Sequence, residues 1–261
     1  MSMRPERLMM SMIHRRLVHG LLFGFALFIT LASAACRNQS AQTSARTGAF
    51  ATNAAAPASI EQANIYKDVP ANIDARARYL FYLHGRIIED QGVRAVHERH
   101  GVYEYQKILE TFKAAGFQVI SETRAKNTDV AQYAAKVVAQ INSLLKAGVA
   151  PRGITVVGAS KGSGIAMHVS TLLKHKDVNF VIMAGCGEGT LKNPALDLYG
   201  RVLSIYDASD EGIGTCESLF ARSAGLNARK EIEINLGLGH GFLYRPHKEW
   251  IEPAVEWAKQ S

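Results

Sequence analysis

The most informative segment of this 261-residue chain is a short run of small residues around one serine. It reads Gly158-Ala159-Ser160-Lys161-Gly162, the pattern G-x-S-x-G, between an apolar strand-like segment and a helix-like segment. In that context the pattern indicates a nucleophile elbow, a sharp turn that exposes a serine hydroxyl. Glycines at both ends leave room where a Cβ would clash between closely approaching backbone segments. A glycine-rich strand–helix turn without catalysis is the alternative interpretation.

A serine hydroxyl is a weak nucleophile at neutral pH, so it needs a base, and the base needs a carboxylate to orient it. His240 lies between two glycines after a predicted strand, and Asp207 and Asp210 follow the strand before that. The chain order Ser…Asp…His therefore predicts a catalytic triad. Other histidines are expected in helices, at helix ends or in a charged loop: His97, His100, His168, His175 and His247.

Apolar runs that alternate with helical periodicity must position these residues. Strands are predicted at 79–83, 117–120, 154–157, 179–183, 202–206 and 231–235, and the last helix at Glu252–Lys259 with Pro253 in its first turn. This alternation predicts an α/β fold with a mainly parallel sheet of about six strands and helices on both faces. Ligands of such sheets bind beyond the carboxyl ends of the strands, where Ser160, Asp210 and His240 fall.

Taken together, these motifs resemble the α/β-hydrolase superfamily of serine hydrolases, including small esterases and dienelactone-hydrolase-like proteins. The resemblance covers about residues 79–258. It is carried by His84-Gly85, the 158–162 elbow, the 207–210 turn and Gly239-His240-Gly241. It implies a minimal fold without a lid domain, since only about 17 residues separate the fourth and fifth predicted strands. No cofactor and no metal are implied.

The resemblance also assigns roles at the site. Ser160 is the expected nucleophile and His240 the expected base. The superfamily pattern Gly-x-x-Asp maps the acid onto Asp210, although Asp207 occupies the usual glycine position and competes for the role. The carboxylate that is not used would then be a surface or turn-forming residue.

Two backbone N–H groups are expected to form the oxyanion hole, because fixed donors stabilise developing negative charge. The resemblance assigns them to Lys161, which follows the nucleophile, and to Arg86, which follows His84-Gly85. Their cationic side chains favour an anionic substrate, and side chains turned to solvent are the alternative. The segment Arg86–Val102 is the expected cover of the pocket.

The N-terminal residues 1–36 have the pattern of an export signal. Four arginines precede an uncharged run at residues 20–35, which ends in small residues and Cys36. Residues 33–36, Ser-Ala-Ala-Cys, are similar to a lipobox whose cysteine becomes lipidated, whereas Ala32-Ser33-Ala34 fits ordinary cleavage. An uncleaved membrane anchor is a third interpretation, because the apolar run approaches the length of about 17–25 residues that spans a bilayer.

The remaining chain divides into a tether and one domain. Residues 37–60 are rich in Ala, Ser and Thr and contain no acidic residue, which is typical of a flexible linker. Residues 61–261 are long enough for one α/β-hydrolase domain. We expect localisation in a bacterial periplasm, or attachment to the membrane only through a lipidated Cys36. The net charge of +7 falls to +4 without residues 1–36, so nucleic acid is not an expected partner.

Cys186 and Cys216 are left once Cys36 is assigned to a lipid. Both follow predicted strands and so lie at the same edge of the sheet, and an exported protein meets an oxidising environment. A disulfide between them is one prediction, and two buried thiols are the other.

The function predicted from these residues is hydrolysis of a carboxylic ester, or a related acyl bond, through an acyl-enzyme on Ser160. The partner is then a small-molecule acyl substrate. A non-catalytic binding protein of the cell envelope with the same fold is the alternative, because a fold alone does not establish activity.

Overall fold

The computed structural model describes residues 64–260. The predicted export signal, the tether and the candidate lipidation site Cys36 lie outside the described residues. Within residues 64–260, none of the helices combines the length and the apolar composition needed to cross a bilayer.

Within residues 64–260, nine strands form two sheets. Their bounds are β1 Ile65–Tyr66, β2 Arg78–Leu83, β3 Val96–His97, β4 Gly101–Val102, β5 Phe117–Ile120, β6 Ile154–Ala159, β7 Asn179–Met183, β8 Tyr199–Asp207 and β9 Gly225–Ile234. Seven of them form the main sheet in the order β1-β5-β2-β6-β7-β8-β9, and every neighbouring pair is parallel. Strands β3 and β4 pair separately as an antiparallel hairpin.

Helices connect these strands. They are α1 Arg86–Gln91, α2 Tyr105–Ala114, α3 Val130–Lys146, α4 Lys161–Leu173, α5 Glu188–Leu191, α6 Glu217–Arg222 and α7 Lys248–Lys259. Two 3₁₀ segments, Pro151–Gly153 and Gly239–Tyr244, complete the described elements.

The sheet is buried on both faces, because side chains along a strand alternate between them. Leu80 and Tyr82 of β2 pack in one apolar cluster with helices α2 and α7, while Tyr79 and Phe81 pack in a second with α3, α4 and α6. The predicted α/β architecture is therefore confirmed. The sheet has seven strands rather than about six, because β1 is a two-residue strand too short to be seen as a periodic pattern.

The last helix begins earlier than predicted. It starts at Lys248 rather than Glu252, so Pro253 lies inside the helix and not in its first turn. A proline there costs a backbone hydrogen bond. The helix forms nevertheless, because its first turns bury Trp250 and Ile251 against the sheet, and tertiary packing outweighs the local propensity.

A disulfide joins Cys186, in the loop after β7, to Cys216, in the loop after β8, with their Cα atoms 5.3 Å apart. The same two loops are linked by the Gly214 N–H, which donates to the Cys186 carbonyl oxygen at 3.2 Å. Asp210 lies in the second loop. The disulfide therefore restrains the loop that carries the candidate triad acid.

Removing this disulfide should destabilise the domain substantially. It closes a loop of 30 residues, for which chain entropy predicts about 3–4 kcal/mol. The measurement is the free energy of unfolding in urea, with and without a reducing agent. The control is the double variant Cys186→Ala/Cys216→Ala, which should have low stability in both conditions. Equal stability of the oxidised and reduced wild-type protein would contradict the prediction.

Candidate active site

Ser160 sits on a strained turn between β6 and α4. Its φ of 54° and ψ of −116° lie outside the regions that a non-glycine residue ordinarily adopts. A Cβ at Gly158 would come within 2.4 Å of the Gly162 carbonyl oxygen, and a Cβ at Gly162 within 1.8 Å of the Leu83 carbonyl oxygen. The two motif glycines are therefore required by close backbone contacts, and the turn has the geometry of a nucleophile elbow.

Ser163, one turn into α4, holds the elbow against the neighbouring strand. Its buried Oγ lies 2.7 Å from the Gly158 carbonyl oxygen and 2.6 Å from that of Met183, and it accepts from the Met183 N–H at 3.0 Å. The Ser160 N–H donates to the Met183 carbonyl oxygen at 3.0 Å. This role of Ser163 was not predicted from the sequence, although a serine three positions after Ser160 is the available signal.

The structure brings Ser160, His240 and Asp210 together in one hydrogen-bonded series. His240 Nε2 lies 2.8 Å from Ser160 Oγ, and His240 Nδ1 lies 2.8 Å from Asp210 Oδ2. An ionised carboxylate can only accept, so Nδ1 carries the proton and Nε2 accepts from the serine hydroxyl. Asp210 has 6% of its side chain exposed and His240 has 34%, so the acid is sequestered while the base remains accessible.

Glycines shape the loop that carries His240. Gly239 has a φ of +51°, and a Cβ at Gly241 would lie 2.6 Å from Nδ1 of His100. His100 belongs to the turn between β3 and β4, inside the segment predicted to cover the pocket. That segment therefore contacts the His240 loop directly, through a histidine that sequence reasoning placed in a charged loop.

Asp207 has a different role from Asp210. Its carboxylate is fully buried and accepts from the Ser209 N–H at 2.9 Å, the Ser209 hydroxyl at 2.5 Å and the Leu236 N–H at 3.0 Å. Ser209 Oγ in turn accepts from the Gly239 N–H at 2.9 Å. Asp207 thus ties the acid loop to the histidine loop. It is a turn-forming residue, as one of the sequence expectations had it, but it is not on the surface.

These hydrogen bonds decide the charge of Asp207. Burial alone would raise its pKa, but the donors from Ser209 and Leu236 outweigh that effect and hold the pKa below the ordinary value of 3.8. Asp207 is therefore ionised at neutral pH.

The two predicted oxyanion donors flank Ser160. Arg86 and Lys161 are the first residues of α1 and α4, and the first N–H groups of a helix have no partner within it. Gly85 approaches so closely that its Cβ would lie 3.7 Å from that of Ser160. Arg86 also lines the cavity that contains Ser160 and His240. The donor role of both N–H groups stays a prediction.

The side chains of these two residues behave differently. Lys161 has 18% of its side chain exposed and its Nζ lies 2.5 Å from Glu89 Oε2, so it turns neither to substrate nor to solvent. Arg86 has 67% of its side chain exposed beside Asp90. Arg86 lines the cavity, but its side chain is largely turned to solvent, as the alternative expectation for it had it.

Buried charges that sequence reasoning missed lie behind this region. The side chains of Glu89 and Arg124 are both 0% exposed and pair at 2.8 Å. His84 is also buried, and desolvation, followed by the charge of Arg124, lowers its pKa to about 4, so it is neutral at pH 7. An acid directly after two isoleucines of α1, and an arginine after β5, were the signals available in the sequence.

Within the described residues, no group of three His, Cys, Asp or Glu side chains is arranged to hold a metal ion. The polar groups around Ser160 are instead a base, a carboxylate and backbone donors, which is a set suited to acyl transfer.

No protein-family model and no curated protein matches the chain. Among solved structures, it is similar to a proposed dienelactone hydrolase from Klebsiella pneumoniae, with 16% identity and a TM-score of 0.49 over 74% of this chain and 90% of that protein. It is also similar to an α/β serine hydrolase without a lid from Xanthomonas campestris, with 11% identity and a TM-score of 0.43 over 73% and 85% of the two chains. The type II thioesterase YbtT of the yersiniabactin pathway gives 13% identity and a TM-score of 0.43 over 72% and 95%.

Within residues 64–260, the parallel sheet, the turn at Ser160 after β6, and the loops of Asp210 and His240 after β8 and β9 have the arrangement that the sequence predicted. No lid domain is inserted between β7 and β8, where the described chain contains only the four-residue helix α5.

The two aspartates should respond differently to substitution. Asp210→Asn should lower kcat for ester hydrolysis on the order of 10³–10⁴-fold, because it removes the carboxylate that orients His240. Asp207→Asn should lower kcat less, and should destabilise the fold by about 1–3 kcal/mol, because a buried acceptor is lost. The measurements are steady-state kinetics and urea unfolding of both variants.

The pH dependence of the free energy of unfolding is a second way to distinguish the roles of the two aspartates. The pKa of Asp207 is lowered in the folded state, so its stabilising contribution is present above the ordinary value of 3.8 and is lost as pH falls through the folded pKa. The difference in free energy of unfolding between the wild type and Asp207→Asn should therefore become smaller below about pH 4.

The kinetic outcome that would contradict the assignment is a larger loss of kcat in Asp207→Asn than in Asp210→Asn. Asp207 would then be the triad acid.

Proposed function

We propose that this protein is a serine hydrolase that cleaves a carboxylic ester through an acyl-enzyme. The observation that carries the proposal is the continuous hydrogen bonding from Asp210 through His240 to Ser160, at 2.8 Å for each step. The strained φ of Ser160 supports it, since strain of this kind persists where the surrounding structure imposes it, and it is found most often at active sites.

The proposed reaction assigns one role to each of these residues. Ser160 Oγ attacks the acyl carbon while its proton passes to His240 Nε2, and backbone N–H groups of Lys161 and Arg86 stabilise the oxyanion. The protonated His240 then gives the proton to the leaving alcohol. Water attacks the acyl-enzyme with His240 again as base, which releases the acid and restores Ser160. Asp210 accepts from His240 Nδ1 and holds His240 in the required tautomer.

A small cavity beside Ser160 favours a short acyl group. Its volume is about 180 Å³, below the range of about 300–1,000 Å³ that is usual for drug-sized ligands. Its apolar wall is formed by four side chains: Ile87, Tyr103, Leu243 and Tyr244. The side chain of Arg86 at its rim is compatible with an anionic group on the substrate. Thioesters, lactones and amides would use the same machinery.

Hydrolysis of p-nitrophenyl esters of increasing chain length tests both parts of the proposal. We expect the highest kcat/KM with acetate to butyrate and a steep fall for longer chains, since the cavity cannot enclose them. Ser160→Ala should lower kcat by on the order of 10⁴–10⁶-fold.

An inactive wild-type protein would favour the alternative of a non-catalytic binding protein of the cell envelope. Full activity in Ser160→Ala would instead reject the acyl-enzyme on Ser160. An active enzyme that prefers long acyl chains would reject only the substrate assignment.

We also propose that the protein is exported and held at a membrane by a lipid on Cys36. The charge and apolar pattern of residues 1–36 supports export. The disulfide between Cys186 and Cys216 supports it independently, because structural disulfides persist in oxidising compartments.

The full chain, expressed in a bacterium, should partition into the detergent phase, and Cys36→Ser should move it to the aqueous phase without changing kcat. Metabolic labelling with a fatty-acid analogue measures the modification itself. Release of both proteins as unmodified periplasmic species would support ordinary cleavage after Ala34 instead.

A further inference from the structure

Glu89 lies inside the fold but next to the proposed oxyanion hole. It is the fourth residue of α1, one turn after Arg86, and its carboxylate is 0% exposed. Lys161 Nζ donates to Oε2 at 2.5 Å and Arg124 Nε donates to Oε1 at 2.8 Å. Burial would raise the pKa of Glu89, but hydrogen bonds from Lys161 and Arg124 lower it below its ordinary value, so Glu89 is an ionised bridge.

One end of this bridge is Lys161, which carries a predicted oxyanion donor, and the other end is Arg124, which contacts His84 before Arg86. The Lys161 ammonium belongs to the same residue as one of the donor N–H groups. Its ion pair with Glu89 therefore ties the first turn of α4 to α1, the helix that begins with the second donor, Arg86. Residues 72 positions apart in the chain are joined directly at this point.

Arg124 extends the bridge to the segment immediately before Arg86. Its Nη2 donates to the His84 carbonyl oxygen, and its backbone N–H donates to His84 Nε2 at 3.0 Å. His84 Nδ1 in turn donates to the Gly85 carbonyl oxygen at 2.8 Å. The neutral state of His84 is required here, because Nε2 must accept. The loop that presents the Arg86 N–H is thus held from both ends.

The net charge of the cluster formed by Glu89, Lys161 and Arg124 also favours formation of the oxyanion. Two cations and one carboxylate leave one net positive charge in a buried environment, where electrostatic interactions are stronger than in water. Negative charge develops on the substrate oxygen beside the residues that this cluster fixes.

We infer that Glu89 is a positioning residue of the oxyanion hole, which holds the donors of Lys161 and Arg86 in register through its ion pairs with Lys161 and Arg124. The inference rests on the proposed function. It predicts that the cluster acts on the transition state, and that it contributes little to binding of the substrate in its ground state.

The test compares Glu89→Gln and Lys161→Met with the wild type on p-nitrophenyl acetate. The matched control is Glu110→Gln, which removes a helical glutamate from a surface ion pair with Lys113. Glu89→Gln should lower kcat on the order of 10–100-fold with KM within about twofold, since small displacements of donors are costly in the transition state. Lys161→Met should lower kcat in the same direction, and Glu110→Gln should match the wild type.

A second readout separates positioning from general stability. Phenylboronic acid forms a tetrahedral adduct with an activated serine, so its inhibition constant reports on the oxyanion hole. That constant should rise by the same factor as kcat/KM falls, while the pH dependence of kcat/KM is unchanged. Thermal unfolding identifies any variant that does not fold. If Glu89→Gln does not fold, Lys161→Met tests the inference instead, because it leaves the Glu89–Arg124 ion pair in place with no net charge.

Folded variants with wild-type kcat, or with lowered kcat but unchanged inhibition by the boronic acid, would overturn the inference and leave the proposed function intact. An inactive wild-type enzyme would instead reject the proposed function, and this inference with it.

Discussion

The close packing of α4 against the carboxyl ends of β2 and β6 is the constraint on which the site depends. Ser160 keeps a positive φ because β6 and α4 meet at an angle that only Gly158 and Gly162 permit. The contact between Gly162 and the Leu83 carbonyl oxygen also brings the loop after β2 up to the serine. One backbone arrangement therefore exposes the nucleophile and places the predicted oxyanion donors beside it.

Two further arrangements complete the site, and both are built from buried charges. Asp207 and Ser209 join the acid loop to the histidine loop, so that Asp210 and His240 meet at 2.8 Å. On the other side of Ser160, Glu89 joins the residues around the proposed oxyanion hole. Burying a charge is costly unless ion pairs or hydrogen bonds compensate for it. Glu89 pairs with Lys161 and Arg124, and Asp207 accepts three hydrogen bonds. The ion pairs thus give rigidity to loops that apolar packing alone would leave less well fixed.

The sheet and the meeting of Ser160, His240 and Asp210 could be predicted from the sequence, because both depend on local patterns. Apolar runs mark the strands, and polar residues at the carboxyl ends of parallel strands must meet at one edge. The contacts of Glu89 with Arg124 and Lys161 follow no local pattern, since these residues lie 35 and 72 positions apart. Strand β1 was not predicted, because two residues are too few to show a periodic pattern. The start of α7 was predicted too late, because tertiary packing keeps Pro253 inside the helix.

The reactivity of Ser160 toward a fluorophosphonate probe tests directly whether this arrangement is a working nucleophile. The measurement is the mass of the intact protein after incubation, with the modified peptide mapped by proteolysis. A catalytic Ser160 should take up one adduct per chain, with none in Ser160→Ala and much slower labelling in His240→Ala. Absence of an adduct on the folded wild-type protein, or equal labelling of Ser160→Ala, would contradict the proposed mechanism.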